Sequence, residues 1–177
     1  MITKNIKKLM KEYFFLHPTV QLRVRHIERD VGVPLPSAIR YVKELEEEEV
    51  LKSSFVSGVK LFSADRTSGQ FLAEKRMYNI MALSDSGLLK YLVETLDNPT
   101  IVLFGSYSRG EDVEDSDIDL YVEVQGRNLS GLKKFEKGLG RKIQIFFYRT
   151  IDSVENKELA NNIINGVTLN GFLEVIR

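Results

Sequence analysis

The residues best suited to chemistry lie in two short motifs between positions 100 and 124. The first motif is Gly105-Ser106, which directly follows the apolar, β-rich run of residues 101–104. Such a run is typical of a buried strand. A glycine at its end allows close approach of the backbone, and the free N–H groups of a helix that starts there favour an anion. The motif therefore indicates a place where phosphate could bind.

The second motif pairs two aspartates on one predicted strand. Asp117 and Asp119 alternate with Ile118, Leu120 and Val122. Alternate residues of a strand point to the same face, so both carboxylates share one side. Two neighbouring carboxylates repel each other, and a bound divalent cation relieves that repulsion. Oxygen ligands of this kind suit Mg²⁺ or Mn²⁺ together with substrate phosphates and water.

This acidic stretch also resembles two other features, the start of an EF-hand loop and a solvated acidic turn. The start of an EF-hand loop is excluded because Leu120 stands where that loop needs glycine, and Gly126 stands where it needs glutamate. A solvated acidic turn accounts for residues 111–115. It does not account for the strand-like alternation that begins at Asp117.

The spacing of the two motifs, Gly105-Ser106, ten residues and then Asp117-x-Asp119, resembles the minimal nucleotidyltransferases of the DNA polymerase β-like superfamily. The resemblance extends over roughly residues 98–150. The residues that stand where members of that family commonly have them are Gly105, Ser106, Arg109, Gly110, Ser116, Asp117, Asp119 and Leu120.

The resemblance implies a small mixed sheet flanked by helices, and transfer of a nucleoside monophosphate from an NTP, most readily ATP, to an acceptor. Asp117 and Asp119 would be the catalytic residues and the ligands of Mg²⁺ or Mn²⁺. Arg109 would either neutralise charge on the phosphates or pair with a neighbouring carboxylate, Glu111 or Asp112. The nucleotide-binding residues would be Gly105, Ser106, Arg109, Gly110 and Ser116.

The sequence departs from this family at the third carboxylate, which active members carry on a later strand. That strand is predicted at residues 141–148, where the expected acid falls on or near Gln144. An amide brings no negative charge and cannot act as a base. Glu123 shares the face of the aspartates but lies about 13 Å beyond Asp119 along a strand. We therefore expect this site to bind a nucleotide and a single metal ion, and two interpretations stay open: transfer without the third acid, or impaired catalysis.

The first part of the chain is predicted to contain three helices and a hairpin. Ser57-Gly58 between two β-rich runs is a hairpin signal, and in the third helix Ile39, Val42 and Leu45 are predicted to face inward. The helices are predicted at residues 4–16, 22–31 and 36–49, and the strands at 51–56 and 59–64.

This order resembles a winged helix-turn-helix, whose third helix enters the DNA major groove. The resemblance implies that Ser37, Arg40, Tyr41 and Lys43 contact DNA. Winged helices also serve as dimerisation or protein-docking modules, and the glutamates of residues 46–49 would repel phosphate. Both interpretations stay open at the level of the sequence, and a homodimer is among the expected assemblies.

We predict an α+β protein with a mixed sheet of α/β type, made of a winged helix at residues 1–66, a connecting helical region at 67–97 and a polymerase β-like nucleotidyltransferase domain at 98–177. The charge is uneven along it. Residues 1–66 carry 12 Lys and Arg against 9 Asp and Glu, whereas residues 67–177 carry 13 against 16. The net charges of +3 and −3 coincide with the change of pattern near position 67.

Composition excludes several classes of site. The chain of 177 residues has no Cys and only two His, so disulfide frameworks, thiolate metal sites and multi-histidine zinc sites are excluded. No apolar run approaches the ~18 residues of a membrane span. The charged start does not resemble a signal peptide, so we expect a cytoplasmic protein without membrane contact.

Three functions are consistent with these features. The chain could be an enzyme that modifies a protein, a small molecule or a nucleic-acid end. It could be a transcriptional regulator whose impaired nucleotidyltransferase domain senses a nucleotide. It could also be the antitoxin of a toxin–antitoxin pair, modifying or binding a HEPN-type toxin. The Gly105-Ser106 and aspartate motifs favour the first and third, whereas Gln144 and the winged helix favour the second.

Overall fold

The computed structural model describes residues 5–125 and 129–176 of the chain. Within them it is an α+β protein with eight α-helices and two β-sheets. The chain divides into two compact units, Met1–Tyr78 and Asn79–Arg177. None of the helices in the described ranges combines the length and the apolar composition that a membrane crossing requires.

The first unit consists of three helices, an antiparallel hairpin and the first part of a fourth helix. The positive φ of 70° at Gly32 ends the second helix, and Pro36 in the first turn of the third costs no hydrogen bond. The elements are α1 (Ile6–Leu16), α2 (Val24–Val31), α3 (Leu35–Glu47), β1 (Leu51–Val56), β2 (Val59–Ala64) and α4 (Gly69–Asp85), which ends in the second unit.

Helix α3 buries a stripe that differs from the predicted one. Ala38, Val42 and Leu45 are buried in the core of the first unit, and their spacing of four and three residues places them on one helix face. Ile39 is 43% exposed, so the prediction that it faces inward was wrong. The small Ala38 occupies the inward position, and Ile39 lies about 100° further round the helix.

Ion pairs join α1 to the acidic end of α3. The Lys7 Nζ lies 3.1 Å from a Glu44 oxygen and also contacts Glu48. The Lys11 Nζ lies 3.1 Å from Glu48 and 2.8 Å from Glu74. The hydrogen bond from Lys7 lowers the pKa of the Glu48 carboxyl. These lysines therefore neutralise part of the glutamate run.

The second unit is built on a four-stranded mixed sheet in the order β5-β4-β3-β6. Strand β3 pairs antiparallel with both β4 and β6, and β4 pairs parallel with β5. Its elements are α5 (Leu88–Thr95), β3 (Thr100–Phe104), α6 (Gly105–Arg109), β4 (Ile118–Glu123), α7 (Leu132–Leu139), β5 (Ile143–Tyr148), α8 (Lys157–Ile164) and β6 (Val167–Asn170).

The two faces of this sheet pack into two different hydrophobic clusters. Leu120 of β4 joins the cluster that includes α5 and α7. Tyr121 joins the other cluster, which includes Ile163 of α8. Because strand residues alternate between faces, Asp119 lies on the same face as Tyr121. The predicted alternation of the later strand is confirmed, since Ile145 packs in the first cluster and Phe146 in the second.

Candidate active site

The turn from β3 into α6 forms the floor of the candidate site. Phe104 ends the strand in extended conformation, and Gly105 follows with a φ of +75°. A Cβ atom added at Gly105 would overlap a carboxylate oxygen of Asp119 and would lie 3.3 Å from its Cγ. Only glycine meets both the backbone and the space requirement here. The chain turn and the Asp119 carboxylate are therefore in direct proximity.

Strand β4 sets the position of the two aspartates. Asp119 is opposite Phe104 on β3 and beside Gln144 on β5. Asp117 directly precedes the strand, and the next residue, Ile118, already donates its N–H to the carbonyl of Lys142 at 2.8 Å. Both aspartates are half-buried. The sheet thus holds two carboxylates, two residues apart, at the end of β4 that lies next to the β3–α6 turn.

The electrostatics of the pair favour a cation. Burial raises the pKa of the Asp119 carboxyl above its ordinary value, and the negative charge of Asp117 raises it further. Burial disfavours the charged form of the Asp119 carboxyl, and the charge of Asp117 disfavours a second negative charge beside it. A divalent cation bound between the two carboxylates would remove this penalty, and carboxylate oxygens are its preferred ligands.

The register also locates the residue that stands in place of a third acid. Gln144 is the direct parallel neighbour of Asp119 and its side chain is exposed, which confirms the predicted placement. Glu123 lies at the other end of β4, opposite Thr100, and accepts a hydrogen bond of 2.9 Å from the hydroxyl of Tyr121. In residues 5–125 and 129–176 no group of three or more His, Cys, Asp or Glu is placed to hold a metal.

The remaining predicted nucleotide-binding residues fall into different places. Ser106 lies in the first turn of α6 and is half-exposed. Arg109 donates from Nε to Glu111 at 2.7 Å, which is the ion pair foreseen as its alternative role. Gly110 ends the helix with a φ of +74°. Ser116 accepts the N–H of Val113 at 2.9 Å and so closes the turn before β4.

A buried ion pair that sequence reasoning missed fixes the loop before Asp117. The Arg141 side chain donates to Asp112 at 3.2 Å and to the Val113 carbonyl. Asn79 donates to Asp112 at 2.8 Å and to the Tyr107 carbonyl at 2.9 Å. The side chains of Arg141 and Asp112 are only 6% and 0% exposed. The interpretation of residues 111–115 as a solvated turn was therefore wrong for Asp112.

An open cleft of about 390 Å³ adjoins Asp117. Four carboxylates line it, and Lys142 is an exposed cation at its edge. Its lining residues are Glu114, Asp115, Ser116, Asp117, Glu136, Gly140, Arg141 and Lys142. The surroundings of Asp117 are therefore predominantly acidic.

The residues predicted to contact DNA lie along α3. The Arg40 guanidinium stacks on the Tyr41 ring at 4.3 Å from its centroid, and its Nε lies 3.6 Å from Glu44. Ser37 is half-buried and Lys43 is exposed. Arg40 is therefore exposed but engaged with its own helix, and Lys43 is a second exposed cation of this group.

Comparison with known proteins identifies the second unit. Residues 86–167 match the family described as the nucleotidyltransferase domain. Two proteins of Methanocaldococcus jannaschii, MJ1379 and MJ0435, carry names that propose a protein adenylyltransferase activity. MJ1379 is 36% identical over 69 residues, which are 35% of this chain and 69% of MJ1379. MJ0435 is 32% identical over 68 residues, which are 36% of this chain and 73% of MJ0435.

This chain belongs to the nucleotidyltransferase-domain family. The matched segment of this chain contains β3, α6, β4 and β5, and with them both aspartates and Gln144. The matched segment begins after the first unit and includes none of that unit's residues. No solved structure matches the chain.

The glycine at the β3–α6 turn provides a first test of this geometry. Gly105→Ala should lower the free energy of unfolding by more than Gly87→Ala does. Gly87 has nearly the same φ, +77°, but nothing lies within 4 Å of its added Cβ. Both variants bear the left-handed backbone cost of about 1–2 kcal/mol, and only Gly105→Ala must also displace Asp119. Urea unfolding measures the difference, and equal losses would contradict the close approach.

The raised pKa of Asp119 predicts a second outcome, for the protein without divalent metal. A carboxyl whose pKa is higher in the folded than in the unfolded chain destabilises the fold once both states are ionised. Asp119→Asn should therefore increase the melting temperature at pH 7 in EDTA. The gain should vanish as the pH falls below the ordinary aspartate pKa of about 3.9.

Asp115→Asn is the matched control, because Asp115 is exposed in the same loop. It should leave the melting temperature nearly unchanged at both pH values. A lower melting temperature for Asp119→Asn than for the unmodified chain at pH 7 would show that the carboxylate stabilises the metal-free fold, contrary to this account.

Proposed function

We propose that this chain transfers a nucleoside monophosphate from an NTP, preferably ATP, to a hydroxyl group of a protein acceptor. The observation that carries the proposal is the Asp119 carboxylate packed against the Gly105 turn, with Asp117 two residues before it. This arrangement lies inside the segment that matches the nucleotidyltransferase domain. A turn that suits phosphate and a carboxylate pair that suits a cation are thereby adjacent.

The donor set of the site fits a hard divalent cation. The two half-buried carboxylates of Asp117 and Asp119 would supply the negative ligands, and the amide of Gln144, the neighbour of Asp119, would supply a neutral oxygen. Asp117 and Asp119 would hold Mg²⁺ or Mn²⁺, with Gln144 as an additional oxygen ligand. When bound, the cation neutralises the charge of the triphosphate and polarises the reacting phosphoryl group.

The protein groups around the turn would bind and orient the nucleotide. The missing side chain of Gly105 lets the Asp119 carboxylate lie against the turn, and the first N–H groups of α6 have no intrahelical partner. Ser106 in the same turn offers a hydroxyl donor. In the transfer, the acceptor oxygen forms a bond to the α-phosphorus while the bond to the pyrophosphate oxygen breaks. The acceptor proton leaves to water, because Gln144 cannot accept it.

The names of the two archaeal relatives support a protein as the acceptor. A HEPN-type toxin partner, expected from the sequence, would be one acceptor of this class. The first unit, in which three helices precede a hairpin as in a winged helix, would then serve to recognise a partner.

Titration calorimetry with ATP, GTP, CTP and UTP tests the nucleotide site. We expect micromolar binding that needs Mg²⁺ and is lost in Asp117→Asn and in Asp119→Asn. Asp115→Asn, next to the pair but exposed in the loop, should bind as the unmodified chain does. The proposed site would be contradicted if nucleotide binding did not depend on Mg²⁺ and was unchanged in both variants. It would also be contradicted if no nucleotide bound.

The amide of Gln144 provides a separate test of the ligand set. Gln144→Glu should tighten Mn²⁺ binding by about tenfold, because a third carboxylate beside Asp119 adds negative charge to the site. Gln144→Met has similar length but no oxygen, and should weaken binding. Electron paramagnetic resonance of free Mn²⁺ measures both affinities. Equal affinities for the two variants would show that residue 144 does not face the metal.

A further inference from the structure

An open apolar groove lies within the first unit, between α2, α3 and the hairpin strand β2. It has a volume of about 410 Å³. Val42 and Phe62, which are 2% and 6% exposed, belong to the core beneath it, and Ile39 is 43% exposed. The lining residues are Arg23, Val24, Arg25, Ile39, Val42, Lys43, Val59, Lys60 and Phe62.

The residues that line the groove are four cations and five apolar side chains. Arg23, Arg25 and Lys43 are exposed, and their side chains have no ionic or hydrogen-bond partner within the described part of the chain. Lys60 lies 3.2 Å from Glu46 and 4.9 Å from the centroid of the Phe62 ring. No carboxylate is among the described residues that line the groove.

We propose that this groove binds an acidic amphipathic segment of a partner protein. Apolar side chains of the segment would cover Ile39 and the floor of the groove, and its carboxylates would meet Arg25 and Lys43. Helices that dock in this way present apolar anchors at positions i, i+3 or i+4, and i+7. Charge complementarity favours an acidic segment, since the rim carries several positive charges and no negative one.

Duplex DNA fits this surface less well than a protein segment does. Reading of bases requires hydrogen-bond donors and acceptors on the protein, whereas Ile39, Val24 and Val59 offer none. Arg40, one of the predicted base contacts of α3, is already stacked on Tyr41, and its Nε lies 3.6 Å from Glu44. The groove thus offers apolar contact where DNA would need polar contact.

Fluorescence anisotropy with the full chain tests the proposal. The probe is a labelled synthetic helical peptide with Leu and Phe at i, i+4 and i+7 and Glu elsewhere. A scrambled peptide of equal composition is the peptide control. We expect the amphipathic peptide to bind at least about tenfold more tightly than the scrambled one, because only the first places its anchors on one face.

Two pairs of protein variants locate the binding surface. Ile39→Glu should weaken binding of the amphipathic peptide by about tenfold or more. Leu16→Glu should not, because Leu16 is equally exposed at 43% but lies outside the groove. Arg25→Glu should also weaken binding, whereas Arg29→Glu on the same helix should leave it unchanged.

Three results would overturn the proposal. The first is equal binding of the amphipathic and scrambled peptides, or binding that Ile39→Glu and Arg25→Glu both leave intact. The second is a 24-base-pair duplex that binds more tightly than the peptide and is released by Ile39→Glu, which would make the groove a nucleic-acid surface. The third is a dimer of the chain that Ile39→Glu dissociates, which would make a second copy its occupant. The test is independent of nucleotide transfer.

Discussion

The close approach between Gly105 and the Asp119 carboxylate is the constraint on which the candidate site depends. It follows from the antiparallel register in which Phe104 faces Asp119, so that the first residue after β3 must leave room for the carboxylate. A glycine with positive φ meets that requirement and begins α6 at the same point. One backbone position thus sets both the β3–α6 turn and its distance from the acid pair.

Contacts elsewhere in the second unit stabilise the positions of Asp117 and Asp119, although the site is electrostatically unfavourable without a metal. Burial and, in addition, the negative charge of Asp117 raise the pKa of Asp119, so the metal-free site opposes folding. The Asp112–Arg141 ion pair fixes the loop that leads to Asp117, and both side chains are almost fully buried. Removing one partner of such a buried pair typically costs about 3–5 kcal/mol. The loop is therefore held in place by this ion pair.

The local sequence pattern was sufficient to predict strands β3, β4 and β5 and the position of the acid pair. An apolar run identified β3, and alternation identified β4. The alternation of residues 141–148 placed Gln144 on the opposite face from Ile143 and Ile145, and the structure adds the register that sets it beside Asp119. These features could be predicted because strand periodicity acts over neighbouring residues. The two-motif spacing then related the chain to the nucleotidyltransferases.

Features set by distant contacts could not be predicted in this way. Asp112 lies within an acidic run, which predicts an exposed side chain. It is buried because it pairs with Arg141, 29 residues later, and accepts a hydrogen bond from Asn79. Ile39 has the spacing of a core residue, but Ala38 takes the inward position. For Asp112 the partners that override the local signal lie elsewhere in the chain, whereas for Ile39 the competing inward residue is its neighbour Ala38, and only the packing of the whole first unit decides between them.

The most direct test is a crystal structure of the chain soaked with Mn²⁺ and a non-hydrolysable ATP analogue, measured at a wavelength where manganese scatters anomalously. We predict an anomalous peak about 2.1 Å from carboxylate oxygens of both Asp117 and Asp119, with the phosphates at the Gly105-Ser106 turn. Manganese bound instead among Glu114, Asp115 and Glu136, or a nucleotide bound elsewhere, would contradict the assignment of this turn and acid pair as the active site.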